Sequence, residues 1–259
     1  MNKPSIERSD RSASAYRTRG GELGLFANLV YTCLHGAARF LAFLYFRARV
    51  HGRHNLPATG AVIISPVHRS NLDVPLLGAT SHRRLRYLAK GSLFKNRFWT
   101  WFLTTIGGFP LDRNATADRG ALDGALEVLA RGEALAVFPE GERKAGHTVH
   151  PMADGAVWLS ARSGAPILPV GIGGSQRSLP KGANVPKPTK LVFLYGELIP
   201  APTPRDGAKR VSRPQIREAS DELRATLQRL FDEAQELAGC PNPPGSGDFA
   251  ALDATLAAD

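Results

Sequence analysis

The residues best suited to chemistry stand in "PVHRSNLDVP", 66–75, where His68 precedes Asp73 by five positions and follows the apolar run "AVIIS". A carboxylate on one imidazole nitrogen fixes the tautomer and leaves the other nitrogen free to take a proton from a hydroxyl. Five residues of ideal helix turn the chain through about 500°, so the two side chains would not share a helix face. A direct bond therefore requires His68 in a turn and Asp73 in the first turn of the helix that follows, with Ser70 or Asn71 as a good N-cap. The same spacing also suits a capped helix beside a surface histidine.

Three further blocks carry polar or Gly/Pro-rich chemistry. "GGFPLDR" (107–113) brings Arg113 to the entrance of a helix, and "PEGERK" (139–144) places Glu140, Gly141 and Arg143 in a turn after the apolar "ALAVF". A guanidinium clamps phosphate through two parallel bonds, and free N–H groups at helix starts assist it. Glu140 is placed to orient Arg143 or another cation. Lys90, just past "LRYLA", offers the same chemistry, and for all these cations plain solvation is the alternative. "LPVGIGG" (168–174) is the fourth block. Ligands of open α/β sheets gather where strands end and helices begin, so four such blocks imply one shared site.

The elements that must position them follow from the hydrophobic pattern. The runs "AVIIS" (61–65), "LRYLA" (85–89), "ALAVF" (134–138), "PILPVGI" (166–172) and "KLVFLYG" (190–196) read as strands, several nearly continuous, as in a sheet covered on both faces. Helical patterns fall near 73–79, 95–105, 116–131 and 152–163. The third of these carries Leu122, Leu126 and Leu129 on one face. A last helix over 214–238 has the stripe Leu223, Leu227, Leu230, Ala234 and Leu237. The expected fold is a single α/β domain over 50–238. Its central sheet is largely parallel or mixed, covered by helices and preceded by an apolar N-terminal helical segment. Residues 1–20 are polar and basic and are read as disordered, with no secretory signal; 239–259, rich in Pro, Gly and Ser, are read as a disordered tail. There is no internal repeat.

Residues 23–46 are the most apolar stretch and are near the length of a bilayer span, ~20 residues. Yet Asn28, Thr32, His35 and Arg39 recur at four, three and four positions, which makes one polar stripe on a helix. An arginine near mid-span is costly, and arginines flank both ends. The segment over 21–49 is therefore expected to be a membrane-associating helix, broken near Gly36, that lies in the interface or packs on the domain. A buried helix and a true span are the alternatives.

The chain of 259 residues holds 33 Lys and Arg against 23 Asp and Glu, a net charge of +10, which calls for an anionic partner. No zinc-finger spacing, RNP-like pattern or basic recognition helix points to nucleic acid. Only two cysteines occur, Cys33 and Cys240, in dissimilar surroundings, which argues against a disulfide framework. There is no HExxH or CxxC pair, no P-loop, no GxGxxG after a strand and no GxSxG elbow, so neither a metal nor a bound cofactor is expected.

Taken in order, the four blocks resemble those of the glycerolipid acyltransferase family, whose best-known members are 1-acylglycerol-3-phosphate acyltransferases. The family's NHxSxxD is similar to "VHRSNLD", matching His68, Ser70 and Asp73; its Gly-rich block ending in Arg resembles "GGFPLDR". Its FPEGTRS resembles "FPEGERK", and its proline after apolar residues falls on Pro169. The resemblance covers roughly 50–200. It implies that His68 is a general base steadied by Asp73, and that the acceptor headgroup is held by Arg113, Glu140, Gly141 and Arg143, with Lys90 and Pro169 beside them. It further implies acyl-CoA or acyl carrier protein as co-substrate and lysophosphatidic acid or a related lyso-lipid as acceptor. The implied location is the cytoplasmic face of the inner membrane. Other lyso-lipid or glycolipid acceptors, or a non-catalytic lipid-binding role, are the alternatives. No feature bears on oligomeric state. Val67 replaces the usual Asn, and Glu142 and Lys144 replace the usual Thr and Ser; the latter pair bears on which acceptor is used.

Overall fold

The structure is a computed structural model that describes residues 24–90, 94–111, 119–180, 182–205 and 207–258. The stretch 1–20, expected to be disordered, lies outside the described residues. The chain enters through helix α1 (Leu25–Phe40), which passes into a π-turn at Leu41–Tyr45, and then forms strand β1 (Arg49–His51). There follow β2 (Val62–Pro66), α2 (Asp73–Thr80), β3 (Leu85–Lys90), α3 (Arg97–Thr105), β4 (Gly108–Leu111), α4 (Arg119–Ala130) and β5 (Ala134–Ala136). The second half comprises α5 (Gly155–Ser163), β6 (Ile167–Gly173), α6 (Ser175–Ser178), β7 (Val192–Tyr195), α7 (Arg213–Ala238) and α8 (Phe249–Ala258).

The seven strands among the described residues form one sheet in the order β1-β7-β6-β2-β5-β3-β4. Strands β2 to β6 run parallel, with Ile63 of β2 opposite both Leu135 and Ile167. β7 is antiparallel to β6, and β1 follows β7 in parallel, so the sheet is mixed. β2, β5 and β6 are buried at every position, the reason their sequences are continuously apolar rather than alternating. The five expected strands are all present. The two that the hydrophobic pattern did not reveal are the edges: β1 has three residues, and β4 contains Pro110, a residue that edge strands tolerate.

Helix α7 lies across β6 and β7. It starts with a reciprocal capping box between Ser212 and Gln215 and stops at Gly239, whose φ of 78° gives the left-handed C-cap. Leu223, Leu227, Leu230 and Ala234 face the sheet as the periodicity requires; Leu237 points outward and Ala238 takes its place. The close approach of this helix accounts for the first two glycines of "PVGIGG", Gly171 and Gly173. A Cβ on Gly171 would run into the Leu230 carbonyl and come within 2.9 Å of the Phe231 nitrogen, and one on Gly173 would meet the Ala234 carbonyl. These glycines seat a helix rather than a ligand.

Helix α1 is continuous through Gly36; the irregularity lies at the π-turn beyond it, not at the glycine. The C-terminal half of the polar stripe, His35 and Arg39, turns toward the protein, while Asn28 and Thr32 stay exposed. His35 Nε2 donates to the Gly78 carbonyl at 3.2 Å and Arg39 Nη1 to the Ala79 carbonyl at 2.9 Å. These carbonyls close the C-terminal end of α2, where unpaired C=O groups and the helix dipole favour a cation. The apolar side faces out instead, with Leu25, Phe26, Leu29 and Phe40 exposed. Among the described residues, no helix is long and apolar enough to cross a membrane. The tail also departs from expectation. It closes with α8, docked through Phe249, whose ring lies 4.2 Å from the Arg224 guanidinium, and through an Asp253–Arg224 ion pair.

Since overpacking against backbone cannot be relieved by a side-chain rotation, Gly171→Ala should lower the unfolding free energy by about 1–3 kcal/mol or more. Urea denaturation with an unchanged m-value would show it, and a wild-type midpoint would contradict this packing.

Candidate active site

Two loops leave the C-terminal ends of adjacent strands and meet. β2 delivers Val67 and His68; β5 delivers Val137 to Gly141. Val67 is wholly buried and its N–H donates to the Val170 carbonyl at 3.1 Å, prolonging the pairing with β6. An apolar side chain suits that position. His68 then sits in the turn before α2, and Asp73 is the first residue of the helix, the arrangement that a direct bond requires.

The His68 Nδ1–H donates to Asp73 Oδ2 at 3.0 Å. The same oxygen accepts the N–H groups of Arg69 and Ser70, each at 2.7 Å. Asp73 thus reaches backward and satisfies the turn, which is why neither Ser70 nor Asn71 acts as the N-cap. Leu72 occupies that position without a side-chain bond, and Ser70 Oγ donates instead to the Leu179 carbonyl at 2.9 Å. Asp73 is wholly buried, whereas the His68 side chain keeps 14% exposure. With Nδ1 carrying its proton toward the carboxylate, Nε2 is the basic nitrogen. The Phe138 ring, 4.4 Å away between centroids, supports the imidazole.

Glu140 requires a correction. It was expected at a bound headgroup, yet it is buried and its oxygens are already occupied. Arg69 Nη1 donates to Oε1 and Oε2 at 2.8 and 2.7 Å, the His68 N–H to Oε2 at 3.1 Å, and the His150 N–H to Oε1 at 3.0 Å. Glu140 is a strut under the histidine, not a ligand for substrate. Its partner Arg69, only 2% exposed, escaped the sequence reading. Arg69 also donates to the carbonyls of His68 and Thr148, at 3.1 and 3.0 Å, and lies 4.9 Å from the Phe231 ring of α7. The available signal was an arginine and a glutamate placed three and four residues after buried strands, where burial demands a counter-charge. The Lys144 N–H donates to the His68 carbonyl at 2.9 Å and completes the seam between the loops.

A cavity of about 1010 Å³ opens beside the imidazole. His68, Asn71, Gly141, Glu142 and Arg143 line it where the loops meet; Tyr87, Leu88, Leu103, Ile106 and Leu159 line it along the helices and β3. Gly141, at φ 72°, closes a turn in which its N–H donates to the Phe138 carbonyl at 3.0 Å, and so turns Glu142 and Arg143 toward the cavity. Lys144 Nζ pairs with Glu142 at 2.7 Å. Pro169 is the second correction: it is buried inside β6 opposite Ser65 and does not line the cavity. Lys90 ends β3, paired with Leu111 of β4, and Arg113 lies outside the described residues. Burial pushes the Tyr87 phenol well above its ordinary value and raises that of Tyr31, the latter opposed by Arg84 and Arg86. Both cavity phenols therefore stay protonated at neutral pH, and neither competes with the imidazole as a base.

The arrangement suits the removal of a proton from a hydroxyl beside a largely apolar cavity that Arg143 helps to line. Comparison with known proteins agrees. A family model described as Acyltransferase matches residues 47–173. The chain is 25% identical over 209 residues to the 1-acyl-sn-glycerol-3-phosphate acyltransferase of Bacillus subtilis (strain 168), covering 80% of this chain and all of that one. It is 27% identical over 214 residues to the enzyme of the same name from Saccharomyces cerevisiae, covering 79% of this chain and 67% of that one. With the chloroplastic Brassica napus protein it shares 26% over 143 residues, and it spans about two fifths of that relative's length (41%). The crystal structure of the Thermotoga maritima 1-acyl-sn-glycerophosphate acyltransferase PlsC superposes with a TM-score of 0.64 at 25% identity, over 80% of each chain.

Removing one member of a buried ion pair leaves the other unpaired, at a cost of about 3–5 kcal/mol, whereas replacing both with apolar residues removes most of that cost. Glu140→Leu should therefore be strongly destabilised in chemical denaturation, and Arg69→Met/Glu140→Leu should recover much of the loss. Equal stabilities for the two variants would deny that the pair is coupled.

Proposed function

We propose that the chain, similar over residues 47–173 to the acyltransferase family, moves a fatty acyl group from a thioester donor to the free hydroxyl of 1-acylglycerol-3-phosphate, making phosphatidic acid. The observation that carries the reading is His68, anchored through Nδ1 on a buried Asp73, with the cavity at its side. His68 Nε2 takes the hydroxyl proton as the oxygen attacks the thioester carbonyl. The tetrahedral oxyanion then collapses, the carbon–sulfur bond breaks, and the thiolate leaves, receiving the proton from the imidazolium. Asp73 stabilises that imidazolium and fixes its orientation. No acyl-enzyme is needed.

Arg143, which lines the cavity, is the cation proposed to hold the phosphate, with Arg113 and Lys90 as its companions. The apolar lining gives an acyl chain a dry chamber. Acyl-CoA and acyl carrier protein both fit as donors. A second reading keeps the reaction and changes the acceptor to another lyso-lipid or a glycolipid. The Glu142–Lys144 pair favours it, since it sets a carboxylate and an ammonium where the family has two hydroxyls.

Location at the cytoplasmic face of the inner membrane is part of the proposal. Leu25, Phe26, Leu29, Phe40 and Leu44 are exposed on α1 and the π-turn, Phe98 and Trp99 on α3, and Phe26 stacks on Trp101 at 5.9 Å to join the two helices. Exposed Arg47, Arg49 and Arg53 follow directly, as expected of a face that sinks into an anionic lipid surface.

Purified protein given labelled acyl-CoA and a panel of acceptors should acylate lysophosphatidate. In the same assay His68→Ala should lower kcat by about 10²–10⁴-fold without shifting the unfolding midpoint. Undiminished turnover by that variant would remove the base from the mechanism, and consumption of another acceptor alone would replace the substrate. In flotation with vesicles containing phosphatidylglycerol, Phe98→Ser/Trp99→Ser should release protein into the soluble fraction. Unchanged flotation would take α3 out of the docking face.

A further inference from the structure

The C-terminal helix touches none of the cavity, yet it is bonded into the scaffold under His68. Arg224, in the middle of α7, is 7% exposed. Its Nη1 and Nη2 donate to the two oxygens of Asp253 on α8, each at 2.8 Å, while its Nε donates to the Val149 carbonyl at 2.9 Å. One turn on, Gln228 accepts the Val149 N–H at 2.7 Å and donates to the His147 carbonyl at 2.9 Å. Asn242, in the tail before α8, donates to the same His147 carbonyl and to Asp232.

The stretch 147–150 so held forms no helix or strand, and its alternate residues face opposite ways. His147 and Val149 bond to α7 and the tail. Thr148 and His150 bond to the catalytic loop: the Thr148 carbonyl accepts from Arg69 at 3.0 Å, and the His150 N–H donates to Glu140 at 3.0 Å. Glu140 in turn accepts the His68 N–H at 3.1 Å. An unbroken run of bonds links Asp253 to the backbone of the base.

We propose that Arg224 and Asp253 are positioning residues for His68, with the C-terminal helix acting as a latch that holds residues 147–150, and through them Glu140, in place. This rests on His68 being the general base. A guanidinium as buried as that of Arg224 must keep a counter-charge. Without the Asp253 carboxylate it turns toward water, its Nε leaves the Val149 carbonyl, and the support beneath Glu140 loosens. None of 147–150 lines the cavity, so the effect falls on turnover rather than on substrate affinity.

Asp253→Asn in the full chain removes the charge and keeps the shape. With lysophosphatidate and acyl-CoA, kcat should fall about fivefold while KM stays within about twofold, and Thr255→Ala on the exposed side of α8 should match wild type. By hydrogen exchange, the amides of His68 and His150 should exchange about tenfold faster in Asp253→Asn. Added to Glu140→Gln, Asp253→Asn should cost nothing further, because both act through one carboxylate. Wild-type kcat in Asp253→Asn, unchanged exchange at those amides, or losses that add fully with Glu140→Gln would each overturn the latch. A wild-type protein that leaves lysophosphatidate unacylated would overturn the proposed function instead, and the exchange measurement would still decide the latch.

Discussion

The buried pair of Arg69 and Glu140 is the interaction on which the rest of the site depends. Two charges taken out of water are tolerable only when each is met by the other and by further hydrogen bonds. Here the carboxylate has four such contacts, and the guanidinium adds two backbone carbonyls and an aromatic face. The pair joins the loop after β2 to the loop after β5 and rests on α7. It leaves the His68 side chain free to face the cavity while its backbone is held on both sides.

A similar economy governs Asp73. One oxygen accepts from an imidazole and from two backbone N–H groups, so the residue that steadies the base also folds the turn that carries it. Substitution there alters shape and charge together. The free Nε2 of His68, by contrast, owes its availability to what surrounds it. The phenols of Tyr31 and Tyr87 in the same cavity stay neutral, and the Glu140 carboxylate is held by Arg69 and two backbone N–H groups.

Much of this was legible in the sequence because it rests on local pattern. Continuous apolar runs gave the five inner strands, and leucine periodicity marked α7. The spacing allowed the His68–Asp73 bond once a turn precedes the helix, although it suited a capped helix beside a surface histidine equally well. Long-range pairing was not legible. Glu140 looked like a headgroup ligand because nothing local shows that its charge is consumed by Arg69, 71 residues earlier. Pro169 and its glycines looked like part of a pocket because a helix arriving from residue 230 leaves no local mark. The polar stripe of α1 was visible, but not that His35 and Arg39 would close the end of α2, which reverses the usual sense of an amphipathic helix and leaves its apolar side outward.

The bond between the His68 amide and Glu140 spans 72 residues and joins adjacent strands of the sheet. Between those two residues the chain must lay down α2, β3, α3, β4 and α4 along one edge. Closing so long a loop is slow and brings no reward until it is complete. It follows that the imidazole gains its backbone anchor late in folding, when β2 and β5 pair. A chain that has only begun to assemble therefore carries the residues of the site without their geometry.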